Sequence, residues 1–207
     1  GLMGSGRTEL LNAIFGVDRA ASGSVCIDGV ELHKRSARDS IRRGLGLLTE
    51  DRRKGLVLPM TVQENLTLAA IEELSHVGVV DEASESNLAK SVADRLGIRT
   101  ANLKKQKVKL LSGGNQQKVV LGKWLCRRPR VLLFDDPTRG VDVETRVEIY
   151  RQMRQLASQG VAILFTSSDL DEVFSLAQRV IVLRDGRVVR ELAADETNQE
   201  ELLRLAS

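Results

Sequence analysis

Two apolar runs, VLLFD (131–135) and VAILFTS (161–167), constrain this chain more than any other feature. Each is nearly continuous in branched and aromatic side chains, with no alternation of apolar and polar residues. A strand of that kind needs cover on both faces, as in parallel sheets flanked by helices. Val143–Ala157 reads as a helix between them, and LGLLTE (45–50) as a further strand running into a loop. Other helices are expected at Arg7–Phe15 before Gly16, at Ser36–Arg43 before Gly44, and at Asp81–Leu96, Gly114–Cys126, Asp169–Ala177 and Thr197–Leu205. Thr61-x-x-Glu64 is a capping box that should open an amphipathic helix. SVCIDGVEL and RVIVLRDGRVVREL read as hairpins turning at Asp28-Gly29 and Asp185-Gly186. The expectation is one α/β domain over 1–207 with peripheral hairpins. The more helical, more polar stretch over about 60–112 reads as an inserted subdomain.

Composition excludes several functions. Net charge is +3, with basic and acidic segments interspersed, and aromatic residues make up 3%. A nucleic-acid surface would show a single-sign stripe and stacking aromatics, so no nucleic-acid partner is expected. Cys26 and Cys126 form neither a C-x-x-C pair nor a zinc spacing, which fits a reducing compartment. The apolar runs are far shorter than the ~20 residues of a membrane span. The chain starts without methionine and inside a motif, GLMGSGRT. A phosphate loop follows a strand, so an N-terminal strand is expected upstream of Gly1.

GLMGSGRT nearly matches the phosphate-binding pattern G-x-x-x-x-G-K-[ST], with Arg7 in place of lysine. Gly1, Gly4 and Gly6 free the backbone to turn N–H groups toward phosphate oxygens. Ser5 lies in the same loop, Glu9 in the first helical turn, and Thr8 where a hydroxyl ligates Mg²⁺. The alternative is a plain glycine turn before a helix. VLLFDDPTRGVD delivers Asp135 to a strand end, as a Walker B metal carboxylate, with Asp136 next to it where a general base would stand. Its alternative is a strand-to-turn step with solvated acids. LLSGGNQQK gathers Ser112, Gly113, Gly114, Asn115 and Gln116 at a helix start, an anion site by its N–H groups or an ordinary cap.

In this order the three motifs resemble the nucleotide-binding cassette of ABC transporters. GRTELL, TEDRRKGLVLPMTVQENL, LSGGNQQKVVLGKWL and DDPTRGVDV are similar, more narrowly, to the second cassette of monosaccharide importers of the ribose, galactose, xylose and arabinose type. The resemblance implies a P-loop NTPase-type parallel sheet and a Mg²⁺-dependent ATPase that binds ATP. Cassettes pair head to tail, each ATP lying between one phosphate loop and the other cassette's signature, here LSGGNQQ. The implied partners are a first cassette in the same polypeptide or a second copy, a transmembrane permease and, indirectly, a periplasmic or extracellular sugar-binding protein. The implied location is peripheral, at the cytoplasmic face of the plasma membrane.

Four positions depart from the family pattern: Arg7 for lysine, Glu50 for the metal-ligating glutamine, Asp136 for the catalytic glutamate, and Ser168 for the switch histidine. The expectation is a cassette whose own site binds better than it hydrolyses and whose signature serves another site. The alternatives are a non-transport ABC protein acting on ribosomes or DNA, and a silent nucleotide-binding regulatory module. The family also implies that Leu56–Met60 helps form the groove for a membrane-subunit helix; packing between subdomains is the alternative. His33 and His76 are expected at the solvated surface, Trp124 in the core, and Arg127-Arg128 at a solvated helix end.

Overall fold

From the N-terminus the elements are α1 (Arg7–Phe15), β1 (Cys26–Ile27), β2 (Val30–Glu31), α2 (Ala37–Arg42), β3 (Leu45–Leu48), α3 (Val62–Thr67), β4 (Ser75–His76) and β5 (Val79–Val80). Then follow α4 (Glu82–Leu96), α5 (Gly113–Leu125), β6 (Val131–Asp135), α6 (Val143–Ser158), β7 (Ala162–Thr166), α7 (Leu170–Leu176), β8 (Arg179–Arg184), β9 (Arg187–Ala193) and α8 (Gln199–Ala206). The structure is a computed structural model describing residues 1–2, 4–18, 22–32 and 36–207. His33 lies outside the described residues.

The two apolar runs do form neighbouring parallel strands. The sheet has the order β3-β6-β7, pairing Leu47 with Leu133 and Leu133 with Leu164. Leu45 to Leu48 and Leu132 to Asp135 are all buried. Successive strand residues point to opposite faces, so burial without alternation means that both faces of these two strands are covered. Helices α1, α5 and α6 pack against the sheet. Strand β7 is less enclosed: Ile163, Leu164 and Phe165 are half-buried. In register, Asp135 of β6 lies opposite Thr166 of β7, which brings the loops after both strands to one sheet edge.

Helices α3, α4 and α5 pack on one another. The capping box forms as expected: Thr61 accepts from the Glu64 N–H, and the Glu64 carboxylate accepts from the Thr61 N–H. Its helix is not amphipathic, however. It stops after six residues, and Val62, Gln63, Asn65, Leu66 and Thr67 are all buried. The polar members face inward because they bond locally. Asn65 staples the Val57 backbone, accepting from its N–H at 2.8 Å and donating to its carbonyl at 3.1 Å. Thr67 Oγ1 donates to the Gln63 carbonyl at 3.0 Å.

The two expected Asp-Gly hairpins are present, with positive φ at both residues of each turn, as their handedness requires. A third hairpin, β4–β5, turns at Val77-Gly78 and carries the exposed His76. Trp124 is a core residue: its Nε1 donates to the Leu47 carbonyl at 2.8 Å, and Phe15 meets it edge-on at 5.6 Å between ring centres. Arg127 differs from expectation. Its side chain is 10% exposed, pairs with Glu73 at 2.5 Å and donates to the Ile41 carbonyl, so only Arg128 is a solvated helix end.

Candidate functional site

The opening loop leads into α1 through Gly4 (φ 81°) and Gly6 (φ 93°), a left-handed backbone that glycine adopts without strain. Among the described residues no side chain caps α1, so its first-turn N–H groups can meet an anion. The Ser5 carbonyl accepts from the Gly186 N–H at 3.0 Å, so the β8–β9 turn braces this loop. The Ser5 hydroxyl is buried without a partner among the described residues.

Thr8 and Asp135 meet across the sheet edge. Thr8 Oγ1 donates to Asp135 Oδ2 at 2.8 Å, and Thr166 Oγ1 donates to Asp135 Oδ1 at 2.8 Å. One buried carboxylate and one hydroxyl beside a phosphate loop suit Mg²⁺, which takes few protein oxygens and completes its shell with water and phosphate. Among the described residues no group of three or more His, Cys, Asp or Glu forms an all-protein metal cage.

Three of the four departures make one network. The Arg7 guanidinium donates to the Ser167 carbonyl and lies 3.9 Å from Asp136 Oδ2, the two side chains being 14% and 9% exposed. Asp136 Oδ1 accepts from the Ser168 N–H at 3.0 Å and from the Ser168 hydroxyl at 3.1 Å. Asp136 has φ 46°, a left-handed conformation that an aspartate tolerates better than bulkier residues. Its carboxylate is thus held by a cation, an amide and a hydroxyl. Glu50 stands apart, ion-paired with Arg139 in the loop after β6, both side chains being well exposed. An open cleft of about 560 Å³ adjoins Asp136, Thr138, Arg139, Arg146 and Ser168.

Glu172 escaped the sequence reading. It is 1% exposed and sits under the same loops. Its carboxylate accepts from Thr138 Oγ1 at 3.0 Å and from the Ser167 hydroxyl, so it ties the loop after β6 to the loop after β7. Burial pushes its pKa up, opposed by the two hydroxyls and reinforced by nearby Asp136 and Asp169. The signal was helical phase: Glu172 lies four residues before the half-buried Leu176, whereas Asp171 faces solvent.

At the signature, Ser112 is the N-cap of α5. Its hydroxyl accepts from Asn115 Nδ2 at 3.0 Å, and Asn115 Oδ1 accepts from the Arg99 N–H at 2.8 Å. Ser112 is exposed, with Gly113 and Gly114 half-buried beside it. Gln116 points inward: Nε2 donates to the Val108 carbonyl at 3.2 Å, and Oε1 accepts from Arg52 Nε at 3.2 Å. Gln117, the last residue of the LSGGNQQ motif, donates to the Pro137 carbonyl at 2.9 Å, linking the signature helix to the loop that follows Asp136. Asp142 caps α6; the Thr145 N–H and hydroxyl hold its carboxyl below the usual range. Among the described residues no hydrogen bond or ion pair joins Ser112 or Gly113 to Arg7 or Thr8. The two motifs are separate surfaces of one chain.

The profile of the ABC transporter family matches residues 1–139, which include the phosphate loop, the signature and the strand ending in Asp135. The chain belongs to the ABC transporter family. It is 49% identical over 206 residues to ribose import ATP-binding protein RbsA 1 of Mesorhizobium japonicum, covering 98% of this chain and 40% of that protein. It is 46% identical over 208 residues to ribose import ATP-binding protein RbsA of Geobacillus kaustophilus, covering 100% of this chain and 42% of that one. The chain therefore spans about two fifths of the length of these relatives. A dimeric, post-hydrolysis ATP-binding cassette bound to ADP and Pi superposes with a TM-score of 0.78 at 25% identity, covering 92% of this chain and 82% of that one. The ABC cassette fold, a parallel sheet packed with helices, is thus the fold of this chain.

Proposed function

We propose that this ABC cassette holds Mg²⁺-ATP on Gly1–Thr8 and works with a second cassette and a membrane permease to drive monosaccharide uptake. Relatives named for ribose import support the substrate class, and their greater length leaves room for a first cassette in one polypeptide. The chain would then sit at the cytoplasmic face of the membrane, with residues 60–112 as its helical subdomain and a sugar-binding protein acting upstream. Residues 56–60 remain candidates for the permease contact, Val57 being exposed and held in place by Asn65.

The observation that carries the asymmetric reading is the Arg7–Asp136–Ser168 network. A general base must offer a free lone pair to the attacking water. Here Asp136 is shorter than glutamate by one methylene, and its oxygens already face Arg7 and Ser168. Arg7 in turn spends one N–H on the Ser167 carbonyl. Ser168 has no imidazole with which to pass a proton or clamp a terminal phosphate. Thr8 and Asp135 would hold Mg²⁺, which when bound neutralises phosphate charge. The chain's own site therefore grips nucleotide and hydrolyses it slowly, while Ser112, Gly113 and Gly114, exposed or half-buried at the start of α5, serve the partner's ATP.

The test is ATP turnover by the complete transporter. Ser112→Arg should abolish it, and Asp136→Asn should leave most of it. Turnover lost in Asp136→Asn and retained in Ser112→Arg would sink the asymmetric reading.

A further inference from the structure

Arg52 opens the turn Arg52–Gly55, in the EDRRKGLV segment that follows β3. Asp51 caps that turn, accepting from the Arg53 N–H at 3.0 Å. Two contacts mount the turn on the signature helix α5. Lys123 Nζ donates to the Gly55 carbonyl at 2.8 Å, and Arg52 Nε donates to Gln116 Oε1 at 3.2 Å. Gln116 is itself buried and anchored on the Val108 carbonyl. The guanidinium lies against Gly113: a Cβ built there would stand 2.9 Å from Nη2 and 3.2 Å from Cζ. A glycine at 113 thus leaves the room that the guanidinium occupies.

Among the described residues this cation has no anion. Arg127, Arg139 and Arg146 each hold a carboxylate, but among the described residues no ion pair involves Arg52. Gln116 is its single hydrogen-bond partner among the described residues, and it uses Nε alone. Both Nη groups remain available, beside the exposed Ser112 and the first N–H groups of a 13-residue helix. A planar fork of donors without a carboxylate is suited to a phosphate.

We propose that Arg52 is a phosphate-contacting residue of the signature surface, its Nη groups donating to the terminal phosphate of the ATP held by the partner cassette. This rests on the signature-donating reading above. Gln116 is then the positioning residue that aims the guanidinium, which accounts for an inward-pointing glutamine within the motif.

The test uses the complete polypeptide that carries this cassette, with Mg²⁺ present. Equilibrium titrations with the non-hydrolysable ATP analogue AMP-PNP and with ADP are run beside ATP turnover and a thermal melt. Arg52→Gln should weaken AMP-PNP binding roughly tenfold, as loss of a charge-assisted hydrogen bond does. ADP, which lacks the terminal phosphate, should bind as before. Arg52→Lys, which keeps the charge, should lose roughly threefold or less, and both variants should share a similar small fall in melting temperature, since both lose the Gln116 contact. The proposal is overturned if Arg52→Gln leaves AMP-PNP affinity unchanged. It is also overturned if ADP affinity falls in parallel, or if Arg52→Lys loses as much AMP-PNP affinity as Arg52→Gln. Ser112→Arg is the control for the underlying reading: if turnover survives it, signature donation fails, whatever Arg52 does.

Discussion

Removing the carboxylate of Glu172 should separate two effects that the wild type combines. In Glu172→Ala, Thr138 Oγ1 and the Ser167 hydroxyl lose their shared acceptor at a position 1% exposed. The Ser167 hydroxyl still has the Asp169 carbonyl at 3.1 Å, so Thr138 is the one left unsatisfied, at a cost of about 1–3 kcal/mol. Relief from carrying a buried acid offsets part of this, leaving a net loss of about 1 kcal/mol. That is a drop of about 2–4 °C in melting temperature for a domain of this size. Glu172→Gln keeps an acceptor and removes the titration. The sign follows from the raised pKa: the folded state binds this proton more tightly than the unfolded state, whose value is near 4.5. Below pH about 4.5 both states are protonated, and the group does not favour either one. As pH rises from there toward the folded pKa, stability falls by at most about 1.4 kcal/mol per unit, and the full penalty persists above it. Asp136, Asp169 and Tyr150 face the same side chain in both proteins. Melts from pH 4 to 8, followed by circular dichroism, should show Glu172→Gln gaining on the wild type as pH rises. Parallel curves for the two proteins, or a Glu172→Ala variant as stable as the wild type, would refute the reasoning.

Three further outcomes are expected. Gly122→Val should destabilise the chain by about 1–3 kcal/mol in a denaturant titration, because a Cβ there already stands 2.5 Å from Leu66 Cδ2 and 3.1 Å from Val92 Cγ1. Cys26 is exposed, whereas burial pushes the Cys126 thiol up to about 12; iodoacetamide at pH 8 should alkylate Cys26 readily and Cys126 only on unfolding, as mass spectrometry of the two peptides would report. Burial lowers Lys123 from 10.5 to about 8, so the unfolded state binds its proton more tightly than the folded state, and stability should rise between those two values; Lys123→Met should flatten that rise in melts across the range.

Much of the fold was legible because it depends on local rules. Continuous apolar runs specified parallel strands, Asp28-Gly29 and Asp185-Gly186 specified hairpins, and Thr61 with Glu64 specified a cap. The length and burial of α3 were not legible, since they depend on α4 and α5 closing over it. Arg127 was misread for the same reason: its partner Glu73 lies 54 positions away, and proximity of that kind leaves no periodic trace.

The sequence by itself determined the candidate residues for a phosphate, a metal and a second cassette, because those motifs are contiguous and their chemistry lies in backbone freedom and residue type. Tertiary structure alone decided what those residues do to one another. The family resemblance groups the four departures around one nucleotide but says nothing of their mutual contacts. Folding joined Arg7, Asp136 and Ser168 into one satisfied network and paired Glu50 elsewhere, with Arg139. Folding also put Glu172 beneath that network and left Arg52 against Gly113, without an anion among the described residues. Contacts between distant loops arise where parallel strands end side by side, and the order of residues along the chain does not encode that adjacency.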